Sequence, residues 1–228
     1  MSVHLVKLPS VPDLVDRVYR ALLDAISDGS LGPGARLTQE DLAERLAVSR
    51  QPVLQALRLL KKDGLVLDAP GRGLLVAPLD AAWIAHVYEV RGALDALAAR
   101  RAAAQRTVLD RGLIERGRAA AAGRDIQAMI EADIAFHGAI YAACGNPLVA
   151  QSAQLHWVHL RRVMGAVLQA TRQREPIWDE HAAIAEAIAS GDADGAARLI
   201  EDHSRGASEN LVARLTHALE PTAKGTRR

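Results

Sequence analysis

Apolar residues recur at helical spacing along most of the chain. In "DLVDRVYRALLDAISD" (13–28), Leu14, Val15, Val18, Leu22 and Ile26 fall on one face. Gly29 is a natural stop for that helix. "LGPGARL" (31–37) reads as a turn-rich link. A helix over 38–46 turns Leu42 and Leu46 inward, with Thr38 as its cap and Asp41 completing a variant capping box. After the short turn "AVS", Ser49 caps a helix running to about Asp63, whose core stripe is Val53, Leu57 and Leu60. Pro52 sits in its first turn, where no N–H is needed. Gly64 ends it. Two β-prone runs follow, "LVLD" (65–68) and "GLLVA" (73–77). Joined by "APGR", they predict a hairpin with Arg72 at its tip.

From residue 80 the period is helical throughout. It predicts helices near 80–104, 107–122, 124–144, 147–170, 175–190 and 192–219. Asp80 and Thr107 stand as caps, Pro147 and Pro176 fit first turns, and Gly123, Gly145 and Gly191 fall between helices. The expected fold class is mainly α. A winged helix-turn-helix with a small β-hairpin wing occupies 1–78, an all-α six-helix bundle 79–220, and a basic tail 221–228.

Half the residues are hydrophobic but only 3% are aromatic, so the core must be built of Ala, Leu, Val and Ile. A net charge of +1 says nothing about partners. Cys144 is the only cysteine, which excludes an intramolecular disulfide and a Cys-rich zinc site. No apolar run approaches the roughly 18 residues of a membrane span, and the N-terminus has no signal-peptide core. A cytoplasmic protein with no membrane partner is expected.

The stretch "VSRQPVLQALRLLKKDGLV" (48–66) carries Arg50, Arg58, Lys61 and Lys62, with no acid before Asp63. Opposite its core stripe it presents Arg50, Gln51, Leu54, Gln55 and Arg58. Arginine suits guanine O6/N7 or phosphate, and glutamine can pair with adenine N6/N7. Ser49 and the free N–H groups of the helix start can hold a phosphate. Thr38 and Arg72 are placed to clamp flanking backbone. The asymmetry is local, since residues 1–78 hold ten Lys/Arg and nine Asp/Glu. A solvated helix face is the plain alternative. The order helix, helix, turn, helix, hairpin favours double-stranded DNA as the partner.

The run "LGPGARLTQEDLAERLAVSRQPVLQALRLLKKDGLVLDAPGRGLLVA" resembles the DNA-binding domain of the GntR family of bacterial transcription regulators. "PG-RL", "LAERL-VSR-PV--AL--L---GLV" and the Gly-Arg-Gly of the wing carry the likeness. "VYEVRGALDALAARRA", "DIAFHGAIYAACGNPLV", "DEHAAIAEAIASGD" and "ARLIEDHS" resemble the FCD effector domain of its FadR subgroup. Six helices suit the VanR-like branch. One departure stands out: Leu54-Gln55 replaces the Arg-Glu usual after Pro-Val, so the family's usual operator is not assumed.

Asp133 and His137 lie four apart in "RDIQAMIEADIAFHGAIYAAC" (124–144), on a helix whose apolar side is marked by Ile126, Ile130, Ile134, Ile140 and Tyr141. His181 aligns with Ile177, Ile184 and Ile188. His203 follows Leu199 by four and Ala196 by seven. Burying such groups is costly unless they are paired or metal-bound, and hydrogen-bonded core histidines are the plain alternative. His156 and His159 show how readily such pairs arise here. The resemblance implies more: many FCD members hold a divalent metal with one acidic or amide residue and three histidines. Carried over, these are Asp133, His137, His181 and His203. The donor set suits Zn²⁺, Ni²⁺, Mn²⁺ or Fe²⁺ without choosing among them. Arg91 would supply countercharge to a carboxylate effector, against a surface ion pair with Asp95 as its plain reading. Arg161 and Arg162 are weaker candidates, and Asn146 reads as a turn residue.

The expected function is a ligand-responsive transcription regulator, a homodimer that binds a DNA operator and senses a small carboxylate. The alternative is a helical metalloenzyme using the three-His/Asp site to activate water, although no HExxH motif or separate general base is found. A third reading is an architectural DNA-binding protein whose metal only stabilises the bundle.

Overall fold

The computed structural model describes residues 14–168 and 176–219. The end of the expected helix 147–170 and the basic tail 221–228 lie outside these. The chain divides into two compact units between Pro78 and Leu79, with the short stretch Ser27–Gly29 grouped with the second.

In the first unit, α1 (Leu14–Ser27) buries Val18, Leu22 and Ile26. Leu14, expected on that face, is 41% exposed. α2 (Gln39–Arg45) and α3 (Arg50–Lys62) form the helix-turn-helix. The Thr38 hydroxyl accepts from the Asp41 N–H at 3.3 Å. Ser49 occupies the N-cap position of α3, but its side chain makes no capping bond. That corrects the expected cap and leaves an exposed hydroxyl beside the first turn. α3 buries Val53, Ala56, Leu57 and Leu60.

β2 (Val66–Asp68) and β3 (Leu74–Val76) make the hairpin, with Val66 opposite Val76 and Asp68 opposite Leu74. The link 31–37 holds more than turns. β1 (Arg36–Leu37) pairs antiparallel with β3, so the sheet order is β1-β3-β2. A strand of two residues is too short for an alternating pattern to be legible. Gly73 has φ +93°, and a Cβ there would come within 3.3 Å of the Leu37 carbonyl oxygen. The second glycine of Gly-Arg-Gly thus serves the sheet, while Arg72 stays exposed at the tip.

The second unit has six helices among the described residues: α4 (Ala81–Ala104), α5 (Gly112–Gly123), α6 (Ile126–Ala143), α7 (Pro147–Leu168), α8 (Pro176–Ser190) and α9 (Ala193–Leu219). α4 packs against α6, α7, α8 and α9. Its Ala98, Ala99, Ala102 and Ala103 are fully buried, as are Ala196 and Ile200 of α9. Small side chains let helix axes approach closely, which is how a core with few aromatics stays filled. Asp80 caps α4 by accepting from the Ala82 and Trp83 N–H groups. Thr107 is not a cap. α4 ends at Ala104, Arg106 then turns the chain in the left-handed region at φ 49°, and α5 begins only at Gly112, whose N–H is taken by Asp110. No helix among the described residues is long and apolar enough to cross a membrane.

Candidate metal centre and nucleic-acid face

Asp133 and His137 stand one turn apart on α6, His181 on α8 and His203 on α9. All four are buried, and one donor atom from each lies within 4.8 Å of every other. Asp133 Oδ1 is 3.4 Å from His181 Nε2 and 3.9 Å from His137 Nε2. His181 Nε2 faces His203 Nε2 at 3.2 Å. The α9 stripe differs from the one expected. Leu199 is 39% exposed, and His203 shares its face with Ala196 and Ile200.

Carboxylates stand behind two of the imidazoles. His203 Nδ1 is 2.8 Å from Glu180 Oε2, and His137 Nδ1 is 3.5 Å from Asp95 Oδ2. Such partners fix an imidazole's tautomer and orientation and raise its basicity as a ligand. Asp95 is itself held by Arg91 Nε at 3.2 Å, by the Ser204 hydroxyl at 3.3 Å and by the Tyr141 hydroxyl. Phe136 stacks on the His181 ring at 4.2 Å, and Trp178 meets it edge-on at 4.7 Å. Sequence reasoning assigned no role to Glu180, Phe136 or Trp178. Glu180 sits beside His181 in "DEH".

Burial pushes the His181 pKa well down, with His203 and His137 adding to the effect. Burial likewise lowers His137, with Arg91 next. Neutral imidazole is the form whose ring nitrogen binds a cation. Burial would raise Asp95, but Arg91 and His137 together hold it below the usual carboxylate range.

His137 Nε2 and His181 Nδ1 are buried without a hydrogen-bond partner, and His137 Nδ1 has only the longer contact with Asp95. Buried polar atoms of this kind cost free energy unless satisfied. The His181 and His203 Nε2 atoms converge with Asp133 Oδ1, and a cation shared by the four residues would satisfy the inner nitrogens. Three imidazoles and one carboxylate fit a borderline divalent ion. His156 and His159 do not join the cluster.

The ion pair of Arg91 with Asp95 exists, but it is not on the surface: the side chains are 2% and 0% exposed. The guanidinium lies 4.0 Å over the Trp157 ring. It borders a cavity of about 360 Å³ together with Asp133, Glu180 and His203. Arg161 and Arg162 do not line that cavity. Asn146 is a turn residue whose side chain accepts from the Leu148 N–H at the start of α7.

In the first unit Arg50, Gln51 and Arg58 are exposed along α3, while Leu54 and Gln55 are half-buried. Arg50 pairs with Glu40 at 3.1 Å and Lys61 with Asp68 at 2.7 Å, so two of the four basic side chains already meet acids. Both pairs are exposed and cheap to exchange for phosphate. The Arg36 guanidinium donates to the Arg72 carbonyl and so braces the wing tip. Tyr19 donates to Asp63 at 2.7 Å, tying the end of α3 to α1. Sequence reasoning missed Tyr19, Arg36 and Glu40, whose partners are remote in the chain.

The pattern of the FCD domain matches residues 86–206, and that of "Bacterial regulatory proteins, gntR family" matches 14–76. An uncharacterized HTH-type transcriptional regulator in an unstable DNA locus of Streptomyces ambofaciens is 28% identical over 208 residues, covering 89% of this chain and 87% of its own. One in the TAR-I ttuE-ttuC' intergenic region of Agrobacterium vitis is 33% identical over 139 residues, 58% of this chain and 81% of its own. Among solved structures, E. coli McbR/YncC superposes with a TM-score of 0.78 at 22% identity, over 90% of this chain and 99% of its own. A transcriptional regulator GntR from Rhodococcus sp. RHA1 gives 0.73 at 26%, over 87% and 97%.

Proposed function

The chain belongs to the GntR family of bacterial regulatory proteins, with an FCD domain behind its winged domain, and on that premise we propose how it works: as a cytoplasmic homodimer that reads an operator through α3 and senses a small carboxylate at a metal-bearing site. It is a DNA-binding transcription regulator and not an enzyme, so the metalloenzyme alternative is set aside. The six helices among the described residues of the effector unit support the VanR-like branch.

One observation carries the sensing half. The buried Asp133, His137, His181 and His203 converge beside a cavity that also exposes Arg91. Those four residues would hold Zn²⁺, Ni²⁺, Mn²⁺ or Fe²⁺, and the ion, when bound, supplies a Lewis-acid anchor for carboxylate oxygens. Arg91 adds directional N–H donors that a point charge lacks. The domain limits proposed are 1–78 for DNA binding, 79–220 for sensing and dimerisation, and 221–228 as a tail.

For DNA, α3 enters the major groove, where Arg50, Gln51, Leu54, Gln55 and Arg58 face the bases. Thr38, Ser49 and Arg72 hold phosphates. The homodimer reading is supported by an apolar stripe on α4: Trp83, Val90 and Leu97 recur every seven residues and are 53%, 51% and 43% exposed. Leu148 and Leu155 are exposed on the adjacent α7. Contiguous exposed apolar surface of this kind marks an interaction face.

Elemental analysis of the purified protein, followed by calorimetry with carboxylic acids before and after chelation, tests the reading. About one divalent ion per chain, and acid binding lost with the ion, are expected. Acid binding that survives full demetallation would reduce the ion to a structural part.

A further inference from the structure

The cavity beside the metal cluster has a shape and a charge that restrict what enters it. Its α9 wall consists of His203, Gly206, Ala207, Asn210, Leu211 and Arg214. These follow one another at steps of three, one, three, one and three, so they form a single face of the helix. From His203 to Arg214 that face runs about 16 Å at the rise of an α-helix. The candidate metal cluster and Arg91 stand at the His203 end, and Arg214 closes the other. Asp133 and Glu180 both belong to the cluster around His203, and Arg91 is tied to it through Asp95, which also holds Ser204, the neighbour of His203. Much of the lining between is apolar, with Tyr88, Met129, Met164 and Trp178 beside Ala207 and Leu211 of α9; Asn210 and Arg214 are its polar members on that helix. Arg91 is 2% exposed, lines this space, and leaves its Nη2 without a hydrogen-bond partner.

We infer that the acid sensed carries an apolar body and has roughly a dozen non-hydrogen atoms in all, by the volume a water takes in the liquid, and is not a short hydroxy-acid. The inference rests on the reading of the metal cluster and Arg91 as a carboxylate site. The cavity of about 360 Å³ is about three times what acetate and about twice what lactate can fill by that measure. A short acid would leave apolar walls in contact with trapped water. An acid that fills them gains about threefold to fourfold in affinity per buried methylene. Methionine side chains, two of which line the space, adapt to bodies of different outline.

Calorimetry on the metal-replete full chain tests this with octanoate and 3-phenylpropionate against acetate and lactate. The two apolar acids are expected to bind at least about tenfold tighter than acetate. Lactate binding tightest would overturn the inference and leave the carboxylate reading standing. No heat and no thermal shift with any acid, metal content being full, would overturn both. Gly206→Phe supplies the second arm. A Cβ at Gly206 meets nothing within 4 Å, so the ring can enter the cavity without disturbing α9. Octanoate and 3-phenylpropionate should lose about tenfold or more, a larger loss than acetate shows, with metal content full. Undiminished binding of both long acids by this variant would overturn the inference.

Discussion

At the scale of single residues, burial decides what a charge is for. Arg91 and Asp95 are four apart on α4, a spacing common on solvated helix faces, yet both are removed from water. Arg91→Ala would strand a buried carboxylate, a change that costs about 3–5 kcal/mol. A denaturation midpoint equal to that of the unaltered protein would show the pair to be worth little. Arg91→Lys is therefore the better probe of effector binding, since it keeps the charge and removes the planar fork. The four residues proposed to hold the ion make a separate prediction. His181→Ala and His203→Ala should nearly abolish metal binding, because each removes its helix's only donor. Glu180→Gln should lower affinity by about 10–100-fold, the usual effect of losing a carboxylate behind a ligating histidine. His156→Ala should change nothing. Competition titration with a chromophoric chelator ranks the four variants, and full occupancy in the His181 and His203 variants would sink the assignment.

At the scale of elements, two helices carry the most testable geometry. On α3, Arg50→Ala should weaken operator binding by about 1–3 kcal/mol if the side chain contacts a base. Lys61→Ala should matter less, since Lys61 is engaged by Asp68 in the free protein. Gel-shift titrations at two salt concentrations separate the two effects, and an unchanged affinity for the Arg50 variant would deny α3 its reading role. On α5, Gly117 has no space for even a methyl group, since a Cβ would sit 2.2 Å from the Trp178 ring. Gly117→Ala should destabilise by about 1–3 kcal/mol through overpacking. Because Trp178 rests on His181, metal affinity should fall with it. A thermal melt of the loaded and metal-free variant reads both; a melting temperature unaffected in either form would mean that α5 yields freely.

For the whole molecule, the open question is assembly. Val90→Glu places a charge in the middle of the exposed α4 stripe, at a position already half in water. The variant should fold normally, run as a monomer in light scattering at micromolar concentration, and bind a two-half-site operator far more weakly. A dimer of unchanged stability would move the interface elsewhere. An inverted-repeat operator should mirror the twofold axis of the assembly.

Sequence alone determined the helical elements, their order and most of their ends, because each rests on local rules. Helical spacing of Val53, Leu57 and Leu60, a proline in a first turn and a glycine after the last need no distant partner. The histidines were legible as a set only through resemblance, since spacing links residues within a helix and not between helices. Tertiary structure alone decided what is non-local. β1 exists because β3 is there to pair with, and Thr107 fails as a cap because Arg106 has already turned the chain. The Arg91 pair lies inside the bundle because α4 packs against α6, α7, α8 and α9. Glu180 gained its place behind His203 from the packing of α8 against α9, a contact that no local pattern encodes.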